Sequence, residues 1–527
     1  MKKKKHKKAK HLTHSPKKTS VISHQGILEK YEIEIDKVKI RVEIQNDERG
    51  MVYTLHTSEI SPATAALLDA IRNELITVTT VGMSEITNPS AFTEIKTRFM
   101  KEAEQLLTKK LPTLQPAAKE QLIGKLMQDM LGLGELEFLI HDSMLEEIVI
   151  TSSKEPIRVY HKKYGWIQTN ILVKREDEII NYSGIIARRV GRQITVLTPL
   201  LDAHLVSGDR VNSILYPIST KGNTITIRKF ARDPYTIVDL IKNNTCTLDA
   251  ACLIWLAIEY EMNILISGGT ASGKTSFLNA CMPFIPPNHR IISVEDTREL
   301  MLPEFLYWCP LVTRTANPEG KGEVSMLDLL VNSLRMRPDR IVLGEMRRKE
   351  EAMVLFEAMH TGHSVYATLH ADSAAETIAR LTNPPISVPP NLLKAVNLNI
   401  VLFRNRRKGV RRIFQIAEFD VEENTANATI LYRWSAEEDA LVKHNESSRF
   451  FEDISRITGM SHPEINKALA DKKAILSWLI KNDIRKLSEI GTAMNLYYNN
   501  RAELSKIIAA NTFSRITETK HEPASSL

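Results

Sequence analysis

Apolar and charged residues alternate almost without interruption from Tyr31 to Ile44, the period-two pattern of a half-buried strand or tight hairpin. Helical spacing follows over Pro62 to Ile76 and Ala91 to Leu107. The Pro112 to Pro116 stretch breaks it and predicts a boundary near Gln115. From Ala117 to Phe230 the pattern predicts a helix, strands at Glu147 to Thr151 and Ile157 to His161, a helix at Glu176 to Val190, and strands at Ser213 to Pro217 and Thr224 to Phe230, an α+β domain. Asp233-Pro234 opens an expected linker, and Thr247 is placed to cap a helix running through Trp255 to Tyr260. Between Asn263 and Phe419, apolar runs at Ile264 to Ser267, Ile291 to Val294, Ile341 to Leu343, Val365 to Leu369, Ile400 to Phe403 and Ile413 to Phe419 alternate with helical stretches. That alternation predicts a mainly parallel sheet with helices on both faces, and such sheets bind ligands beyond the carboxyl ends of their strands. Past Trp434 the spacing becomes helical again, with Leu476 to Ile480, Ile484 to Leu487 and Met494 to Tyr498 carrying much of the apolar surface.

A chain of 527 residues is too long for one core and predicts three or so domains. The formal charge of +7 resides in the tail: residues 1 to 20 hold nine lysines and no acid, and removing those nine leaves −2 for all that follows. A near-neutral body argues against a nucleic-acid-binding protein, so no nucleic acid is expected. The tail is too polar to pack and is expected to be disordered, with an anionic membrane surface as its partner; a plain solubilising role is the alternative. Four cysteines, Cys246, Cys252, Cys281 and Cys309, show no C-x-x-C pairing, which predicts reduced thiols and no zinc or disulfide framework. With no apolar run near 18 residues and no signal-peptide pattern, the chain is expected neither to span a membrane nor to be secreted.

Chemistry enters at Gly268-Gly-Thr-Ala-Ser-Gly-Lys-Thr275, which follows an apolar strand and opens a helical segment. This is a P-loop. Its glycines let backbone N–H groups curl around phosphate oxygens, Lys274 reaches the β/γ-phosphates, and the Thr275 hydroxyl can ligate Mg²⁺. The candidate nucleotide-binding residues are Gly268, Gly269, Thr270, Ala271, Ser272, Gly273, Lys274, Thr275 and Ser276. Three later strand ends carry polar clusters: Glu295-Asp296, Glu345-Met-Arg347, and Thr361-Gly-His363 through His370-Ala-Asp372. Carboxylates after strands also cap helices, and a lone histidine is commonly structural. Three such clusters after a P-loop are expected to converge on one phosphate.

These residues resemble a known family, the secretion, type IV pilus and archaellum assembly ATPases, which are hexameric RecA-like motors. The resemblance rests on Gly268 to Thr275 as Walker A, Val294 to Thr297 as the Asp box, Leu343 to Arg347 as Walker B, and Thr361 to Asp372 as the His box. Upstream, Gly134 to Ile150, Leu201 to Val211 and Ile225 to Phe230 look like the family's second N-terminal domain, so it covers about Ala117 to Phe419. It implies that Lys274 stabilises phosphate charge, that Thr275 and, through water, Glu345 hold Mg²⁺, that Glu295 is the base for the attacking water, and that His370 senses the γ-phosphate. It also makes Arg210 and Arg228 candidates to approach the nucleotide, with a structural salt bridge as the alternative for both. Two departures matter. Ala271 replaces the commoner middle glycine, which demands φ < 0 or a tolerated turn there. The tetracysteine module frequent in the type II branch is absent, so the archaeal-type branch fits better.

The expected fold class is α/β, with a RecA-like P-loop ATPase core, a preceding α+β (PAS-like) N-terminal domain and a helical C-terminal extension. The expected divisions are a tail at 1–25, a partner-docking module at 26–115, the α+β domain at 116–232, a linker at 233–247, the ATPase domain at 248–434 and a helical region at 435–527. The resemblance implies an ATP- and Mg²⁺-dependent motor working as a homohexamer, cytoplasmic and peripheral to the membrane. Its partner would be a polytopic membrane platform protein, its task the assembly or export of pilin-like subunits, with nucleotide bound in a cleft between the N-terminal domain and the core. A P-loop nucleic-acid translocase and a nucleotide-gated scaffold with little turnover remain the alternative readings.

Overall fold

The computed structural model describes residues 26–511, except 36–37, 48–49, 57–60, 79–88, 206–207, 231–232, 317–319, 406, 423–424 and 448. The lysine-rich tail therefore lies outside the described residues. The chain divides into two units, Met1–Lys229 and Phe230–Leu527.

The first unit carries one nine-stranded sheet built from β1 (Gly26–Ile35), β2 (Val38–Asp47), β3 (Gly50–His56), β4 (Leu145–Ile150), β5 (Arg158–His161), β6 (Gly165–Thr169), β7 (Leu200–His204), β8 (Arg210–Ile214) and β9 (Thr224–Arg228), in the order β1-β2-β3-β6-β5-β4-β9-β8-β7. The alternation from Tyr31 to Ile44 becomes the β1–β2 hairpin, with Ile33, Ile35, Ile40, Val42 and Ile44 buried. Neighbours pair antiparallel except β3 and β6, joined parallel through Val52–Gln168 and Tyr53–Thr169. The Asn170 side chain extends this short ladder, accepting from Leu55 N at 2.8 Å and donating to Leu55 O at 3.0 Å. Buried Asp142 receives both the Tyr31 and Tyr53 hydroxyls on Oδ2, at 2.6 and 2.8 Å.

The boundary expected near Gln115 does not divide the cores. Residues from β1–β3 share one apolar cluster with β4–β9 and the helix Leu136–His141, because a hairpin needs further strands beside it and a helix packed on its apolar face to be stable. The helices Pro62–Val78, Pro89–Lys110 and Pro116–Leu131 instead form their own cluster around Ile71, Leu75, Phe99, Leu107 and Leu126. The strand expected at Ser213 to Pro217 lies earlier, at Arg210–Ile214. Ser213 occupies a fully buried position there, bonded to Ser183 Oγ at 2.7 Å and to Thr224 O at 2.9 Å, and this satisfied hydroxyl interrupts the apolar alternation.

The second unit holds β10 (Ile264–Gly268), β11 (Arg290–Glu295), β12 (Tyr307–Val312), β13 (Arg340–Leu343), β14 (Ser364–Leu369), β15 (Leu398–Asn405), β16 (Val410–Glu422), β17 (Thr425–Ser435) and β18 (Ala440–Lys443). Their order is β12-β11-β13-β14-β10-β15-β16-β17-β18, parallel from β12 to β15 and antiparallel beyond. Both faces are covered: Ile264 and Ile266 enter one apolar cluster and Leu265 the opposite one, as the pleat requires. β12 escapes the sequence pattern because Pro310 interrupts it, and proline is tolerated there because β12 is the edge strand.

Two expected boundaries shift. The expected linker 233–247 contains the helix Ile237–Lys242, whose Ile237, Val238 and Leu240 are buried in this unit's core. Strand structure also continues past residue 434 to Lys443, and the C-terminal helices run from Arg449 to Ala510. Those helices join the cluster on one face of the sheet through Leu476, Ile490, Met494 and Tyr497. Fully buried Lys472 fastens them, with Nζ 2.5 Å from Glu259 Oε2 and 3.0 Å from Tyr497 OH. Among the described residues no helix is long and apolar enough to cross a membrane.

Candidate functional site

β10 ends in the glycine loop, and the helix Lys274–Cys281 starts from it. Gly268 has φ +152°, and a Cβ there would lie 2.4 Å from the Leu402 carbonyl oxygen; a Cβ on Gly269 would lie 2.7 Å from Asp372 Oδ1. Gly268 leaves no room for a side chain against that carbonyl, and one at Gly269 would have to displace the end of the Asp372 side chain, so both positions bring bare backbone to the loop surface. Ala271 adopts φ +59°, the second of the two expected alternatives: the residue sits in a left-handed turn despite its Cβ rather than at φ < 0. Thr270 and Ser276 are exposed, Thr275 is half-buried, and Ser272 is buried with its Oγ lacking a partner among the described residues.

Lys274 is buried, and its Nζ donates to Gly268 O at 2.9 Å and Gly269 O at 3.2 Å while lying 3.3 Å from His370 Nδ1. Burial holds its ammonium below the ordinary pKa, opposed by Glu345, Asp372 and Glu299. His370 Nε2 lies 2.8 Å from Glu345 Oε1. A donor on Nδ1 and an acceptor on Nε2 assign a neutral imidazole protonated at Nε2. Burial and the nearby Lys274 cation push the same way, lowering the His370 pKa against the pull of Glu345. Arg347 joins two clusters: its Nη2 and Nε reach Glu345 Oε2 at 2.5 and 2.9 Å, and its Nη1 reaches Asp296 Oδ2 at 2.5 Å.

Glu295 ends β11 and is buried. Its Oε1 accepts from Glu299 N at 2.9 Å and Leu300 N at 3.1 Å, while Oε2 has no partner among the described residues. Burial pushes this carboxyl up to about 7, against the two backbone donors. Gly344 packs beside it; a Cβ there would lie 3.3 Å from Glu295 Cγ.

The carboxyl ends of β10, β11, β13 and β14 thus carry the loop, Glu295, Glu345 and His370 on neighbouring strands. His363 stands apart. It precedes β14, roughly 20 Å away along the strand, and its Nδ1 contacts Thr361 Oγ1 at 3.2 Å and Ala358 O at 3.3 Å. Arg210 and Arg228 belong to the first unit, where they face each other across β8 and β9. Arg210 forms a bidentate pair with Asp202 at 3.0 and 2.6 Å, the salt bridge weighed as its alternative. Sequence reasoning gave no role to Arg347, although its spacing of two from Glu345 was a signal. It also missed Asn279, whose Oδ1 accepts from Met301 N at 2.9 Å behind the loop, and Arg411, which donates to Ala271 O from 140 residues away.

The donor set fits a nucleoside triphosphate: a glycine cradle, a desolvated cation, and two buried oxygens, Ser272 Oγ and Glu295 Oε2, without partners among the described residues. Thr275 and Glu345 are oxygen donors suited to Mg²⁺, which is commonly held by one or two side chains together with phosphates and water. Among the described residues no group of three or more His, Cys, Asp or Glu could hold a metal by itself. Fold and loop together define a P-loop α/β protein with a RecA-like core.

Residues 200–426 match the family described as Type II/IV secretion system protein. The chain is 37% identical over 381 residues to Uncharacterized protein MJ0900 of Methanocaldococcus jannaschii, covering 70% of this chain and 68% of that one. It is 32% identical over 295 residues to Type IV secretion system protein PtlH of Bordetella pertussis, covering 48% of this chain and 84% of that one. The X-ray structure of the Legionella pneumophila ATPase DotB is similar at 20% identity and a TM-score of 0.40, over 73% of this chain and 96% of that one. The chain belongs to the type II/IV secretion system ATPase superfamily.

Proposed function

We propose that the protein is an ATP-hydrolysing motor of the archaeal-type branch. It works as a homohexamer at the cytoplasmic face of a membrane, on a polytopic platform protein, and drives assembly or export of pilin-like subunits. The observation that carries the hydrolytic reading is Glu295: a buried carboxylate at the carboxyl end of β11, in the same parallel sheet as the glycine loop, with one oxygen anchored by two backbone N–H groups, the other without a partner among the described residues, and its pKa raised to about 7. A base poised near the working pH combines the ionised form with useful basicity. In this reading Glu295 Oε2 takes a proton from water as the water oxygen attacks the γ-phosphorus and the bond to ADP breaks. Lys274 leaves the Gly268 and Gly269 carbonyls for phosphate oxygens, and His370, neutral and protonated at Nε2, turns its N–H from Glu345 to the γ-phosphate. Arg347 holds Glu345 and Asp296 in register meanwhile. Mg²⁺, held by Thr275 and through water by Glu345, would neutralise phosphate charge when bound.

Phosphate release by the full chain tests this. The wild type is expected to turn over, Lys274→Ala to lose both nucleotide binding and turnover, and Glu295→Gln to bind nucleotide but turn over roughly 10² to 10⁴ times more slowly. Equal rates in all three would remove the assignment, and binding without turnover in the wild type would favour a nucleotide-gated scaffold.

A further inference from the structure

Arg411, near the start of β16, is absent from every motif, yet it touches the glycine loop. Its Nε donates to the Ala271 carbonyl at 3.1 Å, and a Cβ placed on Gly273 would lie 3.3 Å from its Cδ, so the side-chain stem packs along the loop's last glycine. The carbonyl it holds belongs to the one loop residue that has a Cβ and a left-handed backbone, φ +59°. Isolated chains disfavour that conformation for alanine, so something must select it.

Arg411 is itself fixed from behind. Its carbonyl accepts from Thr245 Oγ1 at 3.1 Å and from Arg412 Nη1 at 2.9 Å. The same Arg412 nitrogen donates to Asn243 O at 2.9 Å, and buried Arg412 pairs with Asp439 through Nε at 3.0 Å and Nη2 at 2.8 Å. Ile413 N donates to Thr245 O at 2.8 Å. Residues 243–245 directly follow the helix Ile237–Lys242, the first element of the second unit. Arg411 therefore stands between that entering segment and the tip of the phosphate loop.

We infer that Arg411 is a positioning residue for nucleotide binding: it holds Ala271 in its left-handed conformation and ties the loop tip to the segment 243–245. The inference rests on the ATP-binding reading above. If the clamp selects a binding-competent loop, its loss lowers the competent fraction, which weakens apparent affinity in proportion and leaves the bound state's chemistry alone.

The test is a double-mutant cycle on the full chain, reading affinity for a fluorescent ATP analogue together with KM and kcat. Arg411→Ala and Arg411→Met are both used, the second keeping the apolar stem over Gly273 while removing the donors. In the Ala271 background each is expected to weaken binding and raise KM about fivefold, with kcat changed by less than about twofold. In the Ala271→Gly background, where glycine takes the left-handed geometry without strain, the same substitutions are expected to cost less than about twofold. Equal losses in both backgrounds, or a fall in kcat with KM unmoved, would overturn the inference. A wild type that binds no analogue would instead sink the ATP reading itself.

Discussion

Replacing Glu295 by Gln is predicted to move stability and turnover in opposite directions, and the stability half depends on pH. The carboxyl titrates at about 7 in the fold against an ordinary 4.5, a difference worth about 3 kcal/mol. Because the folded value lies above the unfolded one, the native state binds the proton more tightly between those limits. Wild-type stability therefore falls as pH rises through that window, and the whole penalty is present above pH 7. Glutamine has no charge to desolvate and keeps an oxygen for the Glu299 and Leu300 N–H groups, but it puts an amide N–H₂ where Oε2 has no partner, a cost of about 1–3 kcal/mol. The net expectation is a variant about 1 kcal/mol more stable than wild type at pH 8 and less stable at pH 5. Unfolding midpoints of nucleotide-free protein at the two pH values read this directly, with phosphate release on the same samples. A stability difference that does not change with pH would refute burial as the cause of the raised pKa, and with it the argument for Glu295 as a base poised near neutrality.

Three further outcomes follow from contacts already described. Gly268→Ala meets a backbone carbonyl that cannot swing away and should cost roughly 3 kcal/mol, whereas Gly269→Ala meets the end of the Asp372 side chain and should cost about 1 kcal/mol; urea unfolding compares them. Lys472→Met leaves Glu259, among the described residues, only the Tyr497 hydroxyl at 3.3 Å and Arg501 at 3.5 Å and should destabilise the second unit by about 3 kcal/mol, most of it recovered by adding Glu259→Gln; a single mutant equal to the double would show the pair to be unimportant. Tyr53→Phe removes one of two hydroxyls from a buried carboxylate and should cost about 2 kcal/mol, measured by denaturant unfolding of the full chain.

Elements whose two faces see different surroundings were legible in the sequence. The hairpin at Tyr31 to Ile44 alternates because one side is buried and the other wet, and the runs ending at Ser267, Val294 and Leu369 are continuous because both sides are covered. The candidate site was legible in outline for a related reason: the parallel topology puts the carboxyl ends of β10, β11, β13 and β14 along one edge of the sheet, so Glu295, Glu345 and His370 needed only strand assignments to fall on the same edge as the glycine loop. Residues recruited by tertiary contact left no such trace. Pro310 hid an edge strand, and Ser213 hid a core position behind a hydroxyl that finds its partners only in the fold. Ile237-Val-Asp-Leu240 is too short to announce a helix until the core takes up its apolar side. Arg411 lies too far along the chain from Ala271 for spacing to relate them.

The manner in which residues 26–56 are attached bears on how this protein could be trimmed. They are joined to the remaining sheet by two parallel residue pairs, by the Asn170 bonds to Leu55, by two phenols converging on a single oxygen of Asp142 and by a shared apolar cluster. A shortened version beginning after residue 56 would take both phenols from Asp142, leaving its carboxylate the Met144 N–H, and would strip away part of the apolar cluster shared with β4–β9, so trimming there unsettles the core as well as the carboxylate.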